Sequence, residues 1–202
     1  GGWYTDQACN NAYDFNEPVT ADLSLYAKWS VLRLKVSFHT NGGSSVAGQV
    51  LDYGNKASVP VPQPAKAGYG FSGWYTSESF EAAYDFNTPV TEDFALYAKW
   101  NPIGYSVAFN KNGESVTGAM GGQNFIYGES GPLTVNGFSK AGYSFNGWNT
   151  KADGTGASYK DAAIVSNLAS EDGKIVTLYA KWQPNRYTIQ FNGNGNTGGS
   201  MT

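Results

Sequence analysis

The residues that could do chemistry in this 202-residue chain are few and far apart. Cys9 is the only cysteine and His39 the only histidine, so no internal disulfide, thiolate cluster or two-histidine metal site can form. Cys9 takes the place of Phe80 in an internal repeat, which favours a small buried residue over a nucleophile. His39 continues a strand-like alternation that directs it outward. The sequence therefore predicts no metal and no cofactor.

Carboxylates recur at matching places and raise the question of a glycosidase, for which two carboxyl groups suffice as acid and base. Asp14 and Asp85 stand in "YDFN", and Asp22 and Asp93 stand in "TADL" and "TEDF". These are turn-like contexts in which aspartate caps backbone groups. We expect capping roles and no enzyme.

Tyrosine and lysine form the remaining recurrent set, because "LYAKW" occurs at residues 25–29, 96–100 and 178–182. In a strand, Leu, Ala and Trp of this motif share one face and Tyr and Lys share the other. A lysine–asparagine isopeptide crosslink needs a buried lysine, which the outward phase argues against. The six outward residues are a candidate binding stripe: Tyr26, Lys28, Tyr97, Lys99, Tyr179 and Lys181.

Composition limits the partners. The net charge is −3, with 15% aromatic and 14% charged residues and no run of lysine or arginine, which favours a β-rich globular chain and makes nucleic acid an unsuitable partner. No apolar run approaches the roughly 18 residues that span a bilayer, so we expect no membrane insertion in this segment.

A repeat of about 70 residues organises the chain. The last tryptophan of LYAKW falls at Trp29, Trp100 and Trp182, with spacings of 71 and 82, and a Gly-Trp tryptophan falls at residues 3, 74 and 148. The third copy is longer by 11 residues, which we expect in surface loops.

The repeat is predicted to consist of strands. "LKVSF" alternates with a period of two, and Asn-Gly follows it three and four residues after its phenylalanine at 41–42, 112–113 and 194–195, which indicates a tight turn. "VPVPQPAKAGY" contains three prolines in five residues and is predicted to cross in extended form. "GYGFSGW" is the middle strand, with a bulge at Ser72-Gly73. "AYDFN" is a candidate edge strand and LYAKW the closing strand.

These motifs, in this order and at this period, resemble the Listeria-Bacteroides repeat family, to which the B repeat of internalin B belongs. The resemblance covers essentially the whole chain. It implies mainly β, β-grasp-like (small α+β) modules in an elongated tandem array of an extracellular bacterial protein, on the cell surface or secreted. It brings packing residues and no catalytic residues. The packing residues here are Gly73, Trp74, Leu96, Tyr97 and Trp100.

Four segments follow from the repeat. Residues 1–30 hold the C-terminal half of a repeat (the half-repeat), 31–101 a complete repeat (the middle repeat), 102–182 a complete repeat with longer loops (the long repeat), and 183–202 a first strand and turn (the tail). Because a half-repeat exposes an unpaired edge, three arrangements are open: the parent protein continues on both sides, the repeat boundaries are circularly shifted, or strands are exchanged head to tail between molecules. The "NGNGNTGGS" sequence of the tail is predicted to be a loop.

Two functions remain. The first is a non-catalytic, semi-rigid spacer or stalk in a bacterial cell-surface protein, with neighbouring repeats as its partners. The second is an adhesin module that binds host glycans or host proteins through exposed aromatic residues.

Overall fold

The computed structural model describes residues 1–192, 195, 198 and 199. In this part of the chain every regular element is a β-strand, so the prediction of a mainly β chain is confirmed. The small α+β qualification, which came from the family resemblance, is wrong for these residues, because they contain no helix. No helix in the described ranges could cross a membrane.

The described residues form fifteen strands. Their bounds are β1 Gly2–Tyr4, β2 Tyr26–Lys28, β3 Arg33–His39, β4 Gln49–Asp52, β5 Tyr69–Tyr75, β6 Phe94–Pro102, β7 Gly104–Asn110, β8 Val116–Thr117, β9 Gln123–Ile126, β10 Gly131–Pro132, β11 Ser139–Lys140, β12 Tyr143–Asn149, β13 Ser158–Tyr159, β14 Ile164–Val165 and β15 Ile175–Pro184.

The chain divides into two compact units. The first comprises Gly1–Lys66 and Phe71–Asn101, and the second comprises Ala67–Gly70 and the chain from Pro102 onward. The middle repeat forms a four-stranded sheet in the order β4-β3-β6-β5. Its two central strands, β3 and β6, are parallel, with Phe38 opposite Leu96.

The long repeat has the same strand order. Read from one edge, its sheet runs β9-β7-β15-β12-β13. The first four of these strands correspond in order to β4, β3, β6 and β5, and the short β13 is added at the edge. The central pair is again parallel, with Phe109 opposite Leu178. Both complete repeats therefore place their first and last strands at the centre of the sheet, although about 60 residues separate them in the chain. The β-grasp designation itself stays a prediction.

Each complete repeat buries one tryptophan at the centre of its core. Trp74 is 3% exposed and contacts the rings of Phe38 and Phe71, with ring centroids 4.8 and 5.4 Å away. Trp148 is fully buried against Phe109 and Phe145. In each of these three-ring clusters the first strand supplies one ring and the middle strand supplies the other two.

A bulge is present in the long repeat at the place equivalent to Ser72-Gly73, where it was predicted for the middle repeat. In β12 the pairing with β15 shifts between Phe145 and Trp148, and the intervening Gly147 has φ +91°, a conformation that glycine adopts without steric cost. A Cβ there would also overlap the carbonyl of Tyr159. The shift brings phenylalanine and tryptophan to the same face, although their spacing of three opposes simple alternation.

The tight turn after the first strand is also confirmed. Asn41 and Gly42 both have positive φ, +49° and +87°, and Asn112 and Gly113 follow at +50° and +158°. In the third instance, at 194–195, the asparagine lies outside the described residues. Several other residues of the NGNGNTGGS sequence lie outside them too. Residues 59–66 contain no helix and no strand, with a bend at 61–62, and "AYDFN" makes a single bridge between Tyr75 and Ala83 instead of a strand.

The half-repeat keeps its local pairing. β1 and β2 form a two-stranded antiparallel sheet with Trp3 opposite Ala27, the register that Trp148 and Ala180 adopt in the long repeat. At the other end of the chain, residues 185–192 form no strand. A first strand is central in both complete repeats and depends on two partner strands that follow it, and no such partners lie among the described residues of the tail.

Candidate functional site

The face of each repeat that carries the tyrosine and lysine of LYAKW lies opposite the core. Leu96, Ala98, Leu178 and Ala180 are all fully buried, so the inward half of the prediction is confirmed for both complete repeats. The tyrosine and lysine between them point the other way and are half-buried. Their surroundings decide whether this face can hold a ligand.

In the middle repeat, neighbouring side chains occupy this face. The Tyr97 ring stacks on His39, with ring centroids 4.9 Å apart and planes 12° from parallel. The Lys99 ammonium lies 4.9 Å from the centre of the Tyr75 ring and 5.8 Å from that of Phe80, in the range of a cation–π interaction. His39 faces outward as predicted, and it pairs with the motif tyrosine.

The half-repeat has a similar arrangement. The Lys28 ammonium lies 5.1 Å from the centre of the Tyr4 ring and donates a hydrogen bond to the carbonyl of Cys9 at 3.3 Å. Tyr26 is 39% exposed. Cys9 itself is half-buried and shares with Phe80 a φ of +54°, so the loop keeps the same backbone turn with either side chain.

The long repeat replaces the aromatic partner of the lysine with Asn149. This amide is fully buried, and its Oδ1 accepts the backbone N–H groups of Lys151 and Gly156 at 2.8 and 3.0 Å. Its Nδ2 lies within hydrogen-bond distance of the Gly154 and Gly156 carbonyls and of Ser158 Oγ. A buried amide with this many partners is satisfied, so its role is to shape the hairpin loop 150–157.

Lys181 completes that arrangement. Its Nζ donates to Ser158 Oγ at 3.3 Å, the same hydroxyl that Asn149 contacts. The motif lysine therefore lies over the hairpin loop in all three copies, on an aromatic ring in two of them and on a hydroxyl in the third. Tyr179, beside it in β15, is half-buried. Binding of a ligand by these six residues stays a prediction.

Two of the repeated aspartates, Asp14 and Asp85, cap turns as predicted, and Asp93 holds the backbone of strand β3 instead. Asp14 Oδ1 accepts the backbone N–H of Asn16 at 2.9 Å, and Asp85 Oδ1 accepts that of Asn87 at 2.9 Å. Asp93 Oδ1 accepts the N–H of Lys35 at 2.7 Å. These carboxylates serve the backbone of their own repeat. No cluster of three metal-ligating side chains occurs within the described ranges.

Three groups in the described part have a shifted pKa. Backbone N–H groups of Asn11 and then Asn10 lower the pKa of Asp6, and the N–H and hydroxyl of Thr155 lower that of Asp153. Burial, followed by the nearby Asp85 charge, raises the pKa of the Tyr84 phenol. The two aspartates accept hydrogen bonds that hold hairpin loops, and Tyr84 packs on Phe86 and Phe94. Each pKa shift therefore reflects a structural role.

Two kinds of side-chain contact that join the ends of the repeat, one from tryptophan and one from asparagine, were missed by sequence reasoning. Trp100 Nε1 donates to the carbonyl of Thr40 at 2.8 Å, and Trp182 Nε1 donates to that of Lys111 at 2.9 Å. Asn41 Nδ2 donates to the carbonyl of Ala98 at 2.9 Å. The shared position of these residues in all three copies was the available signal, but Asn-Gly and tryptophan are also explained by turn and core requirements.

A third missed contact lies within the second compact unit. Gly68 donates its N–H to the carbonyl of Ser170 at 3.2 Å, and its own carbonyl accepts the N–H of Ile103 at 3.0 Å. The Tyr69 ring meets Tyr127 edge to face at 5.6 Å. Ser170 belongs to the additional residues of the long repeat, which were expected to form only a surface loop.

Comparison with known proteins agrees with this organisation. The family model described as the Listeria-Bacteroides repeat domain matches residues 1–28, 35–99 and 105–181. The chain is 37% identical over 201 residues to a predicted Gly-rich membrane protein of Evansella cellulosilytica, covering 96% of this chain and 21% of that protein. It is 38% identical over 199 residues to a second predicted membrane protein of the same organism, covering 96% and 28%.

A more distant relative is internalin H of Listeria monocytogenes serovar 1/2a, which is 31% identical over 124 residues, covering 60% of this chain and 20% of internalin H. The chain thus spans between a fifth and somewhat more than a quarter of the length of these relatives. The family model matches three times along the chain, and the two complete repeats share their strand order and their buried tryptophan. The chain therefore belongs to the Listeria-Bacteroides repeat family.

Proposed function

We propose that this segment is a non-catalytic, semi-rigid spacer of a bacterial cell-surface protein. The relatives are named as membrane proteins and as an internalin, which supports a location at the bacterial surface, and the chain spans only part of each. Its repeated residues fill cores and cap turns. We therefore infer that the segment serves as a series of folded repeats that connects other parts of the protein.

The observation that carries the proposal is the set of contacts around Gly68. Residues 67–70 belong by sequence to the middle repeat, yet they are part of the second compact unit. Gly68 donates its backbone N–H to the carbonyl of Ser170, and its own carbonyl accepts the N–H of Ile103. The carbonyl of Ile103 in turn accepts the N–H of Tyr127. These bonds lie within the second compact unit and fix the backbone of residues 67–70 to that of Ile103, which supports a chain whose backbone is restrained.

The arrangement depends on glycine at position 68. Its φ is +79°, and a Cβ built there would overlap the ring of Tyr127. Gly142 is the equivalent residue of the long repeat and has φ +77°, but a Cβ at Gly142 would meet no atom within 4 Å. The two glycines therefore share one backbone requirement, and Gly68 adds a steric one.

This pair provides the test. Gly68→Ala and Gly142→Ala incur the same cost of placing a side chain at positive φ, about 1–2 kcal/mol, whereas Gly68→Ala also displaces Tyr127. We expect Gly68→Ala to accelerate amide hydrogen exchange of Ile103 and Tyr127 at least about tenfold, the equivalent of about 1.4 kcal/mol. Gly142→Ala should leave both rates unchanged. Equal rates in the two variants would remove the support for a restrained linker.

The alternative function is an adhesin module that binds host glycans or host proteins. The exposed ring of Tyr26 and the half-buried rings of Tyr97 and Tyr179 favour it, since aromatic rings are common anchors of binding surfaces. Against it, His39 stacks on Tyr97 and two of the motif lysines lie on rings of their own repeat. A ligand would have to displace or share these contacts, so we prefer the spacer.

A further inference from the structure

Several Asn-Gly pairs occur in the chain, and this dipeptide can react within itself. The backbone nitrogen of the glycine can attack the side-chain carboxamide carbon of the asparagine, because glycine has no Cβ to hinder the approach. Among the described residues such pairs lie at 41–42, 112–113, 136–137 and 146–147. The attack requires the carboxamide to turn towards its own backbone. A carboxamide that other groups hold in place is therefore protected unless the structure opens locally.

Two of these carboxamides are bonded to carbonyls far away in the sequence. Asn41 Nδ2 donates to the carbonyl of Ala98 at 2.9 Å. Asn112 Nδ2 lies 2.9 Å from the carbonyl of Ala152 and 3.0 Å from that of Ala180. Because hydrogen bonds of this length must break before the carboxamide can turn, both pairs are protected.

The other two pairs differ from each other. The Asn136 carboxamide donates to the carbonyl of Phe138 at 2.9 Å and accepts the N–H of the same residue at 3.0 Å. Asn146 is exposed. Its one side-chain hydrogen bond within the described ranges joins Nδ2 to Gln183 Oε1 at 3.4 Å, which is long for such a bond. Asn146 is therefore the least restrained asparagine of the four.

The glycine that follows Asn146 borders an open cleft. This cleft is lined by residues 145–147 of β12 and by residues 158–161. Water in the cleft can therefore reach the pair. Water is the only co-reactant that hydrolysis of the asparagine consumes.

We propose that Asn146 is a site of spontaneous deamidation in the long repeat. The Gly147 nitrogen forms a bond to Cγ of Asn146, the Cγ–Nδ2 bond breaks, and ammonia leaves with the proton of the attacking nitrogen. Water then opens the cyclic imide on one side or the other. The product is aspartate, or isoaspartate, in which the main chain runs through Cγ. The middle repeat has Ser72 at this place and lacks the reaction. This inference goes beyond the spacer proposal and does not depend on it.

The isoaspartate product changes the main chain at the bulge of β12. The pairing of β12 with β15 shifts between Phe145 and Trp148, and the intervening Gly147 has φ +91°. Isoaspartate adds a main-chain carbon at this place, whereas aspartate leaves the main chain unchanged and adds an exposed charge. We therefore expect isoaspartate to displace the fully buried Trp148 and aspartate to leave it in place.

Incubation of the intact chain in mildly alkaline buffer, followed by peptide mass mapping, tests the site. We expect Asn146 to convert at least about tenfold faster than Asn41 and Asn112, whose carboxamides react only after local opening. In urea, where the fold is lost, all of these pairs should convert at similar rates because glycine follows each asparagine. Similar rates in the folded chain, or a slower rate at Asn146, would overturn the proposal.

Two variants separate the site from its consequence. Asn146→Ser gives the long repeat the residue of the middle repeat, and it should keep its mass at this position and retain the β12–β15 amide signals. Asn146→Asp adds the charge without the main-chain change, and its Trp148 indole signal should match that of the freshly prepared unmodified chain. The isoaspartate fraction, separated by chromatography, should show a shifted Trp148 signal. An unshifted signal in that fraction would contradict the effect on the bulge.

Discussion

The half-repeat and the middle repeat contain the same motifs and bury them very differently. Both read "GWYT", then "AYDFN", then "LYAKW". Trp74 is 3% exposed and Trp3 is 50% exposed. Trp100 donates its indole N–H to Thr40, whereas the equivalent Trp29 is 89% exposed. The sheet of the middle repeat includes a first strand, β3, and the described residues 1–30 include no such strand.

This comparison shows which contacts form without the first strand and which contacts need it. The antiparallel pairing of Trp3 with Ala27 forms without the first strand, in the register of a complete repeat. Core burial requires Phe38, which lies 36 residues before Trp74 in the sequence. The motifs therefore specify the antiparallel β1–β2 pair by themselves. They specify a core only when a first strand is paired with LYAKW.

The largest expected effect concerns the two Gly-Trp tryptophans. Trp74→Ala should lower the free energy of unfolding of the middle repeat by about 3–5 kcal/mol, because it empties a fully packed site. Trp3→Ala should cost less than about 1 kcal/mol, because half of that side chain is already in water. Urea titration measures the first cost through the amide signals of Leu96 and Ala98 and the second through those of Tyr4 and Ala27, which lie in the β1–β2 pair. Equal costs for the two substitutions would contradict the role assigned to the first strand.

A smaller effect is expected at the last tryptophan of LYAKW. Trp100→Phe removes the hydrogen bond from Nε1 to the Thr40 carbonyl and should lower the free energy of unfolding by about 1 kcal/mol. Trp29→Phe at the matching exposed site is the control and should change it by less than about 0.5 kcal/mol. The same urea titration reports both values. A loss at Trp29 as large as that at Trp100 would show that the indole N–H bond is not the cause.

The smallest effect depends on pH and distinguishes the two hairpin loops. Asp6 of the half-repeat accepts the N–H groups of Asn10 and Asn11, and the middle repeat has Ser77 at that place. These bonds lower the pKa of Asp6 from its unfolded value of about 3.9. Its contribution is therefore complete above that unfolded value and is lost as the pH falls through the lower folded value.

We expect the amide signals of Asn10 and Asn11 to shift below about pH 4, where the carboxylate becomes protonated. The equivalent amides in the middle repeat, at Glu81 and Ala82, should not follow the same titration. Asp6→Asn should remove the transition. An unchanged titration of the Asn11 amide in Asp6→Asn would assign the shift to another group.

Much of the fold was predictable because the repeat supplies three versions of each element. The alternation of Leu34, Val36 and Phe38 predicted a strand with one buried face, and Asn41-Gly42 predicted its turn. The glycine before Trp148 predicted the bulge that returns the tryptophan to the core. These features depend on neighbours within a few residues, where periodicity and turn chemistry are informative.

The remaining features depend on which distant segments meet. Alternation correctly directed Lys99 outward, but only the pairing of β5 with β6 places it over Tyr75. The additional residues of the long repeat were predicted to lie in a surface loop, yet Ser170 accepts the Gly68 N–H. The α+β qualification came from the family resemblance, and the crossing at 59–66, which contains no helix, shows that this sheet forms without one.

Binding to a panel of glycans and host extracellular proteins, at about micromolar concentration of the intact chain, tests the central claim most directly. The claim is that the recurrent aromatic and lysine residues serve the fold of a spacer. It predicts no saturable binding to any member of the panel, by the chain or by a Tyr97→Ser/Tyr179→Ser variant. Saturable binding that this double substitution abolishes, with the fold retained, would contradict the spacer and establish an adhesin surface on the face that carries Tyr97 and Tyr179.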